Sequence, residues 1–200
     1  MPQNKNNGTH PPEAPTIEFD SIPEALRKLP RWVVWKYTWK PEKKKWDKPP
    51  VSAKTLTLAR SNDPSTWSTF DEAKARYEAG GVSGIGIVLG EGIIGIDLDH
   101  VITNGKPSPE ATEIIERFNS FSELSPSGEG IHVFALGTIQ KNREGQPVAV
   151  WSQNKYFTIT GHRIPGTPPE PIEAQQAIDW TLARFFPEKP PREPGEDKEE

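Results

Sequence analysis

Residues 92–102, GIIGIDLDHVI, are apolar at almost every position, yet two aspartates, Asp97 and Asp99, stand at their centre. Taking one unpaired carboxylate out of water costs several kcal/mol or drives its pKa up until it neutralises. The short apolar run, bounded by glycine, reads as a buried strand. Alternate residues of a strand share a face, so Asp97 and Asp99 point one way, roughly 6–7 Å apart at Cα, while Ile96 and Leu98 point into a core. Two converging carboxylates suit a hard cation such as Mg²⁺ or Mn²⁺, which takes oxygen ligands and offsets their charge. An edge strand facing water, or aspartates paired with lysine or arginine, would give the same spacing. His100 points away from Asp99 and reads as a structural cap on the strand end.

The flanking pattern sets the fold class. RWVVWKYTW (31–39) is β-branched and aromatic, hence a strand, and KPEKKKWDKPP (40–50) is a hairpin tip or loop. TFDEAKARYEAGG (69–81) is a helix, with Thr69 and Glu72 at capping-box spacing and Gly80 as its stop. GIGIVLG (84–90) and IIGIDLD (93–99) are two strands expected to pair as a hairpin across Glu91-Gly92. SPEATEIIERFNSF (108–121) is a helix with Ser108 as N-cap and Pro109 first, and one face made of Ala111, Ile114, Ile115 and Phe118. GIHVFALG (130–137), QPVAVWS (146–152) and KYFTITG (155–161) are three further strands, and PIEAQQAIDWTLARFF (171–186) is a last helix. Strands outnumber helices and do not alternate with them, which predicts an α+β fold of mixed or antiparallel sheets with flanking helices.

Polar, proline-rich ends predict a disordered tail over 1–19, one domain over 20–186, and a disordered acidic tail or linker over 187–200. The last segment holds six acids and three bases, so most of the formal charge of −4 resides there. A nearly neutral body argues against coating duplex DNA by charge alone, which needs a basic face. With no cysteine, no disulfide framework or thiolate metal site is available, and a reducing cytoplasm is the expected setting. No apolar run is long enough to span a membrane.

Two further constellations bear chemistry. In ELSPSGEGIHVFA (123–135), Ser127, Gly128 and Gly130 form a tight turn before a strand that carries His132. Exposed N–H groups and a hydroxyl there would make a nest for an anion such as a triphosphate; an ordinary hairpin turn with a half-buried histidine has the same sequence. Lys36, Lys40, Lys43, Lys44, Lys45 and Lys48 are interleaved with Trp35, Tyr37, Trp39 and Trp46, a composition that suits single-stranded template through phosphate neutralisation and base stacking, or simply a solvated hairpin. GIGIVLG is no dinucleotide fingerprint, because Leu89 stands where the third glycine belongs and a strand follows.

The order GIGIVLG…IIGIDLDH, SELSPSGEGIHVFA, KYFTITGH, with RWVVWKY, DKPPV and NDPSTWSTFDEA upstream, resembles the primase-polymerase (prim-pol) domain of the archaeo-eukaryotic primase superfamily, of the type found in phage and plasmid replication proteins. The likeness covers about residues 24–165. It implies a catalytic core with RRM-like elements that acts as a DNA primase and polymerase, with Mg²⁺ or Mn²⁺ on Asp97 and Asp99. It assigns Ser127 and His132 to the phosphates of a dNTP or NTP, beside the turn of Gly128 and Gly130, with Lys155 kept for phosphate contact and Lys48 beside nucleotide or template. Lys36, Trp39, Lys43, Lys44 and Lys45 are the template candidates. Lys155 stands where the family often has arginine, which keeps the charge and loses the bidentate fork. Expected partners are single-stranded template, primer and a C-terminal helicase domain, around a monomer.

The family's third motif carries an acid that falls here on Ala149, in PVAVWSQNKYFTITGH. That acid normally completes the ligands for two cations, so its absence implies an impaired enzyme. The intact neighbours Val148, Val150 and Trp151 favour an inactivating variant over a natural, weakened relative. A catalytically dead nucleotide- and DNA-binding module, and a metal-dependent nuclease, are the rival readings.

Overall fold

The computed structural model describes residues 10–187. Along them the chain runs α1 (Glu24–Arg27), β1 (Trp32–Trp35), β2 (Thr38–Lys40), β3 (Lys45–Asp47), β4 (Pro50–Val51), α2 (Phe70–Glu78), β5 (Gly84–Val88) and β6 (Ile93–Leu98). It continues through β7 (Ile102–Thr103), β8 (Lys106–Pro107), α3 (Pro109–Phe118), β9 (Ser122–Leu124), β10 (Ile131–Leu136), β11 (Val148–Trp151), β12 (Tyr156–Ile159) and α4 (Gln175–Phe185). Two four-stranded sheets result, in the orders β12–β5–β1–β4 and β11–β6–β10–β9, with every ladder antiparallel. The α+β class and the antiparallel sheets are as expected.

The hairpin expected between residues 84–90 and 93–99 does not form. β5 is buried at every residue and β6 at all but Asp97, so each needs a strand on both sides to satisfy its backbone. β5 lies between β1 and β12, and β6 between β10 and β11, all supplied from distant parts of the chain. The turn around Gly90–Gly92, closed by the Ile93 N–H donating to the Gly90 carbonyl at 3.0 Å, passes the chain from one sheet to the other. The single strand expected over 31–39 is likewise two, because β1 ends at Trp35 and β2 opens a separate two-stranded ribbon with β3.

The second sheet has unlike faces, and this places the site. Ile94, Ile96 and Leu98 of β6, with Ile131 and Val133 of β10 and Val148 and Val150 of β11, pack under Ala111, Ile114, Ile115 and Phe118 of α3 and Ile178 of α4. Fully burying side chains of this size contributes about 1.5–3 kcal/mol each. The opposite face turns toward the first sheet, where Ile93 and Phe134 join a core with Phe157 of β12 and Ile85 and Ile87 of β5. Gly95 follows Ile93 on that face, and a Cβ there would lie 2.8 Å from the Phe157 ring, so only glycine lets the aromatic ring approach. Asp97 comes next along the same face, one pleat beyond the ring.

The two capped helix starts read from the sequence are present. Thr69 Oγ1 accepts from the Glu72 N–H while the Glu72 carboxylate accepts from the Thr69 N–H at 2.8 Å, and Ser108 Oγ accepts from the Ala111 N–H at 3.1 Å. α4 begins at Gln175 rather than 171, because residues 172–174 run extended beside β10: the Leu136 N–H donates to Ile172 and the Ala174 N–H donates back to Leu136. The N-terminal tail expected over 1–19 also yields earlier. Ile17 is buried in the first core and the Glu18 N–H donates to the Thr160 carbonyl at 2.9 Å. The tail residues 1–9 and 188–200 lie outside the described residues.

Candidate active site

Antiparallel register aligns four residues in one row across the second sheet. Ala149 of β11 is the direct partner of Asp97 of β6, Asp97 of His132 of β10, and His132 of Glu123 of β9. Direct partners share a face, with Cβ atoms about 4.5–5.5 Å apart. His132 is buried and Asp97 is half-buried; the imidazole Nε2 stands 3.8 Å from Asp97 Oδ1, beyond hydrogen-bond reach. The His132 ring packs on Phe157 with centroids 5.0 Å apart. Its Nδ1 lies 3.1 Å from the Thr158 carbonyl; a carbonyl oxygen only accepts, so this contact is a hydrogen bond when Nδ1 carries a proton, and Nε2 is the nitrogen turned to Asp97.

β6 ends at Leu98, so Asp99 falls one residue past the strand expected to contain it. Its N–H donates to the Pro147 carbonyl at 2.8 Å, and its Oδ2 accepts from Gln146 Nε2 at 3.0 Å. Even so, Asp97 and Asp99 open into one cavity of about 210 Å³. Ser127, His132, Lys48 and Lys155 line it with them, as do Asp47, Ser125 and Tyr156. The residues singled out from four separate sequence segments therefore converge. His100 instead is exposed, with Nδ1 3.2 Å from Glu129 Oε2.

The expected phosphate nest takes a different form. Gly128 adopts φ +71° but its N–H donates to the Ser125 carbonyl at 2.9 Å, and the Glu129 N–H donates to Ser127 Oγ at 3.2 Å. Those donors are consumed by the turn itself, and neither Gly128 nor Gly130 lines the cavity. Gly130 serves packing, since a Cβ there would sit 2.8 Å from the Leu98 carbonyl oxygen. What the loop presents is a pair of hydroxyls, Ser125 and Ser127, 3.0 Å apart.

Two lysines face the acids. Burial pushes the Lys48 ammonium below its usual pKa, and the nearby carboxylates of Asp97, Asp99 and Asp47 partly restore it. Lys155 Nζ stands over the Trp151 ring at 4.2 Å from the centroid. The Tyr156 hydroxyl donates to the Lys48 carbonyl, and burial first, then the Asp47 charge, raises its pKa above the ordinary phenol range, so it remains a neutral donor. The template candidates Lys36, Trp39, Lys43, Lys44 and Lys45 are not in the cavity wall. They occupy the β2–β3 ribbon and the segment leading to it, with Lys36, Lys43, Lys44 and Lys45 exposed and the Trp39 and Trp46 rings 5.5 Å apart. Asp47 and Lys48 join that ribbon to the cavity.

Sequence reasoning passes over Glu123, Gln146, Tyr156 and Ser125. SELSPSG reads as surface turn chemistry, and only the pairing of β9 with β10 reveals that Glu123 continues the row. Of the three carboxylates in the cavity wall, Asp97 and Asp99 fit one hard cation of the Mg²⁺ kind, which binds through one or two carboxylates plus substrate phosphates. Among the described residues no three His, Cys, Asp or Glu side chains are grouped to hold a metal, and the position beside Asp97 where the resemblance expects a third acid is Ala149.

No family model matches the chain. It is similar to a DNA primase-polymerase of Nitratiruptor phage NrS-1, with 32% identity over 161 residues that span 75% of this chain and 21% of the phage protein. The chain thus spans about a fifth of the length of that relative. No helix among the described residues is long and apolar enough to cross a membrane.

Proposed function

We propose, on its similarity to the phage DNA primase-polymerase, that the chain is a member of that family and forms the nucleotidyl-transfer core of a phage- or plasmid-type DNA primase-polymerase. Its partners are a single-stranded template, a primer and nucleoside triphosphates, and it works as a monomer in the cytoplasm beside a helicase. The observation that carries this reading is the convergence of Asp97, Asp99, Ser127, His132, Lys48 and Lys155 on one cavity.

In the proposed reaction a primer 3′-hydroxyl attacks the α-phosphorus of the incoming nucleotide. The new O3′–P bond forms as the bond to the β-phosphate bridging oxygen breaks, and pyrophosphate leaves. Asp97 and Asp99 would hold Mg²⁺ or Mn²⁺, which neutralises phosphate charge and favours the alkoxide form of the attacking hydroxyl. Lys48 and Lys155 supply fixed positive charge for the triphosphate, the Ser127 hydroxyl donates to a phosphate oxygen, and His132 meets the substrate through Nε2. Catalysis of this kind is mostly positioning and charge stabilisation. Ala149 favours one second reading, a domain that binds nucleotide and DNA without turning them over.

A labelled primer on a single-stranded template, incubated with dNTPs and Mn²⁺ or Mg²⁺, tests the proposal. Slow extension is expected, and none after Asp97→Asn. Shortening of the DNA without any need for nucleotides would make the protein a nuclease. Bound nucleotide with no product, even once an acid is restored at position 149, would leave the binding module.

The β2–β3 ribbon is the proposed template contact. Lys36, Lys40, Lys43, Lys44, Lys45 and Lys48 outnumber Glu42 and Asp47 there, in a chain of net charge −4. Changing Lys43, Lys44 and Lys45 together to glutamate is expected to flatten the salt dependence of single-strand binding by about two in slope, at roughly 0.7 for each phosphate no longer neutralised. Trp39→Ala is expected to cost about 1–3 kcal/mol, the worth of one stacked base. Fluorescence anisotropy with a labelled oligonucleotide at several salt concentrations measures both. Unchanged slope and affinity would return the ribbon to a solvated hairpin.

A further inference from the structure

Glu123 is fully buried, is not among the residues lining the cavity, and takes no part in the chemistry above. A buried carboxylate must replace its lost hydration with donors. Glu123 does so across the gap between the sheets: the Thr160 N–H donates to its two oxygens at 3.1 and 3.2 Å, and the Gly161 N–H donates to Oε2 at 2.8 Å. Those donors follow β12, an edge strand of the first sheet, whereas Glu123 sits in β9 at an edge of the second. Two residues before Thr160, the Thr158 carbonyl oxygen stands 3.1 Å from Nδ1 of His132. Glu123 Oε1 lies 3.8 Å from that same Nδ1, and Glu123 is the direct cross-strand partner of His132.

We propose that Glu123 is a positioning residue for His132. By anchoring the turn after β12 it fixes where the Thr158 carbonyl lies. That carbonyl holds the imidazole in its Nδ1–H form, which commits Nε2 to the cavity. Outer partners of this kind commonly decide the tautomer of a working histidine. The inference rests on the cavity being the nucleotide site.

Glu123→Gln keeps the volume and one acceptor but sets an amide NH₂ against N–H donors. Three measurements separate positioning from bulk stability. These are thermal unfolding, titration with Mg²⁺·dATP, and the long-range ¹⁵N–¹H spectrum of the imidazole at a pH where it is neutral, with His132 assigned among four histidines through His132→Gln. The expected result is an Nδ1–H tautomer in the unmodified protein and mixed tautomers in Glu123→Gln. Nucleotide affinity should fall about tenfold, the lower end of what such outer partners cost. A variant that melts earlier yet keeps both the His132 spectrum and the affinity would make Glu123 structural only. The spectrum of the unmodified chain decides the matter even if Glu123→Gln does not fold, because an Nε2–H tautomer there overturns the proposal. If the unmodified chain binds no nucleotide, the site reading fails instead, and the tautomer comparison, which needs no nucleotide, still judges Glu123.

Discussion

Replacing Ala149 with glutamate is expected to raise metal-dependent primer extension about a hundredfold or more, the scale on which single charge-stabilising groups act in active sites. The register makes the position specific. Ala149 is opposite Asp97 in an antiparallel ladder and on the same face, so a carboxylate built there emerges beside the existing pair. Val148 and Val150 point to the other side, into the core under α3 and α4, and are untouched by the change. The same geometry predicts a cost. Without metal, a third negative charge beside Asp97 repels it, so the variant should melt earlier than the parent chain. With Mn²⁺ it should recover more than the parent does, because a ligand that binds only the folded state stabilises in proportion to its affinity. Primer extension and thermal melts with and without Mn²⁺ measure the two halves. A glutamate variant that binds template and nucleotide but stays inert would remove the catalytic meaning of β11.

Gly161→Ala is expected to lower the unfolding free energy by about 3 kcal/mol, combining left-handed backbone strain with overpacking. Gly161 adopts φ +74°, and a Cβ on it would stand 2.2 Å from the Glu18 carbonyl oxygen and 2.9 Å from its carbonyl carbon. The obstacle is backbone, so no side chain can rotate away. Relief requires moving either residues 17–18, with Ile17 in the core, or the turn whose N–H groups satisfy Glu123. Nucleotide affinity should therefore fall along with stability. Denaturant titration monitored by tryptophan fluorescence gives the first number and Mg²⁺·dATP titration the second. A change within about half a kcal/mol would show that this turn yields more easily than its packing implies.

Features governed by neighbours in sequence are legible from the residues alone. Thr69 with Glu72, and Ser108 with Pro109, announce helix starts because the capping groups lie within one turn of what they cap. Asp97 and Asp99 stand out because charge inside an apolar run is costly wherever the strand goes. Features set by distant pairing are hidden. β5 and β6 resemble a hairpin locally, yet each finds both neighbours far along the chain. Glu123 sits among turn-forming residues, and its burial depends on donors at 160 and 161. Residues 172–174 have a helical pattern, but pairing with Leu136 draws them straight. Gly128 reads as an open donor, whereas the turn it belongs to claims its N–H.

The cavity has two walls held in different ways. Asp97 belongs to a strand clasped on both flanks, like a plank nailed along each edge. Lys48 lies between the β2–β3 ribbon and β4, with its carbonyl held by the Tyr156 hydroxyl. Nucleic acid laid along that ribbon would tug on the lysine while leaving the aspartates in place. Loading of the template and grip on the triphosphate would then be geared together through the short Asp47–Lys48 link.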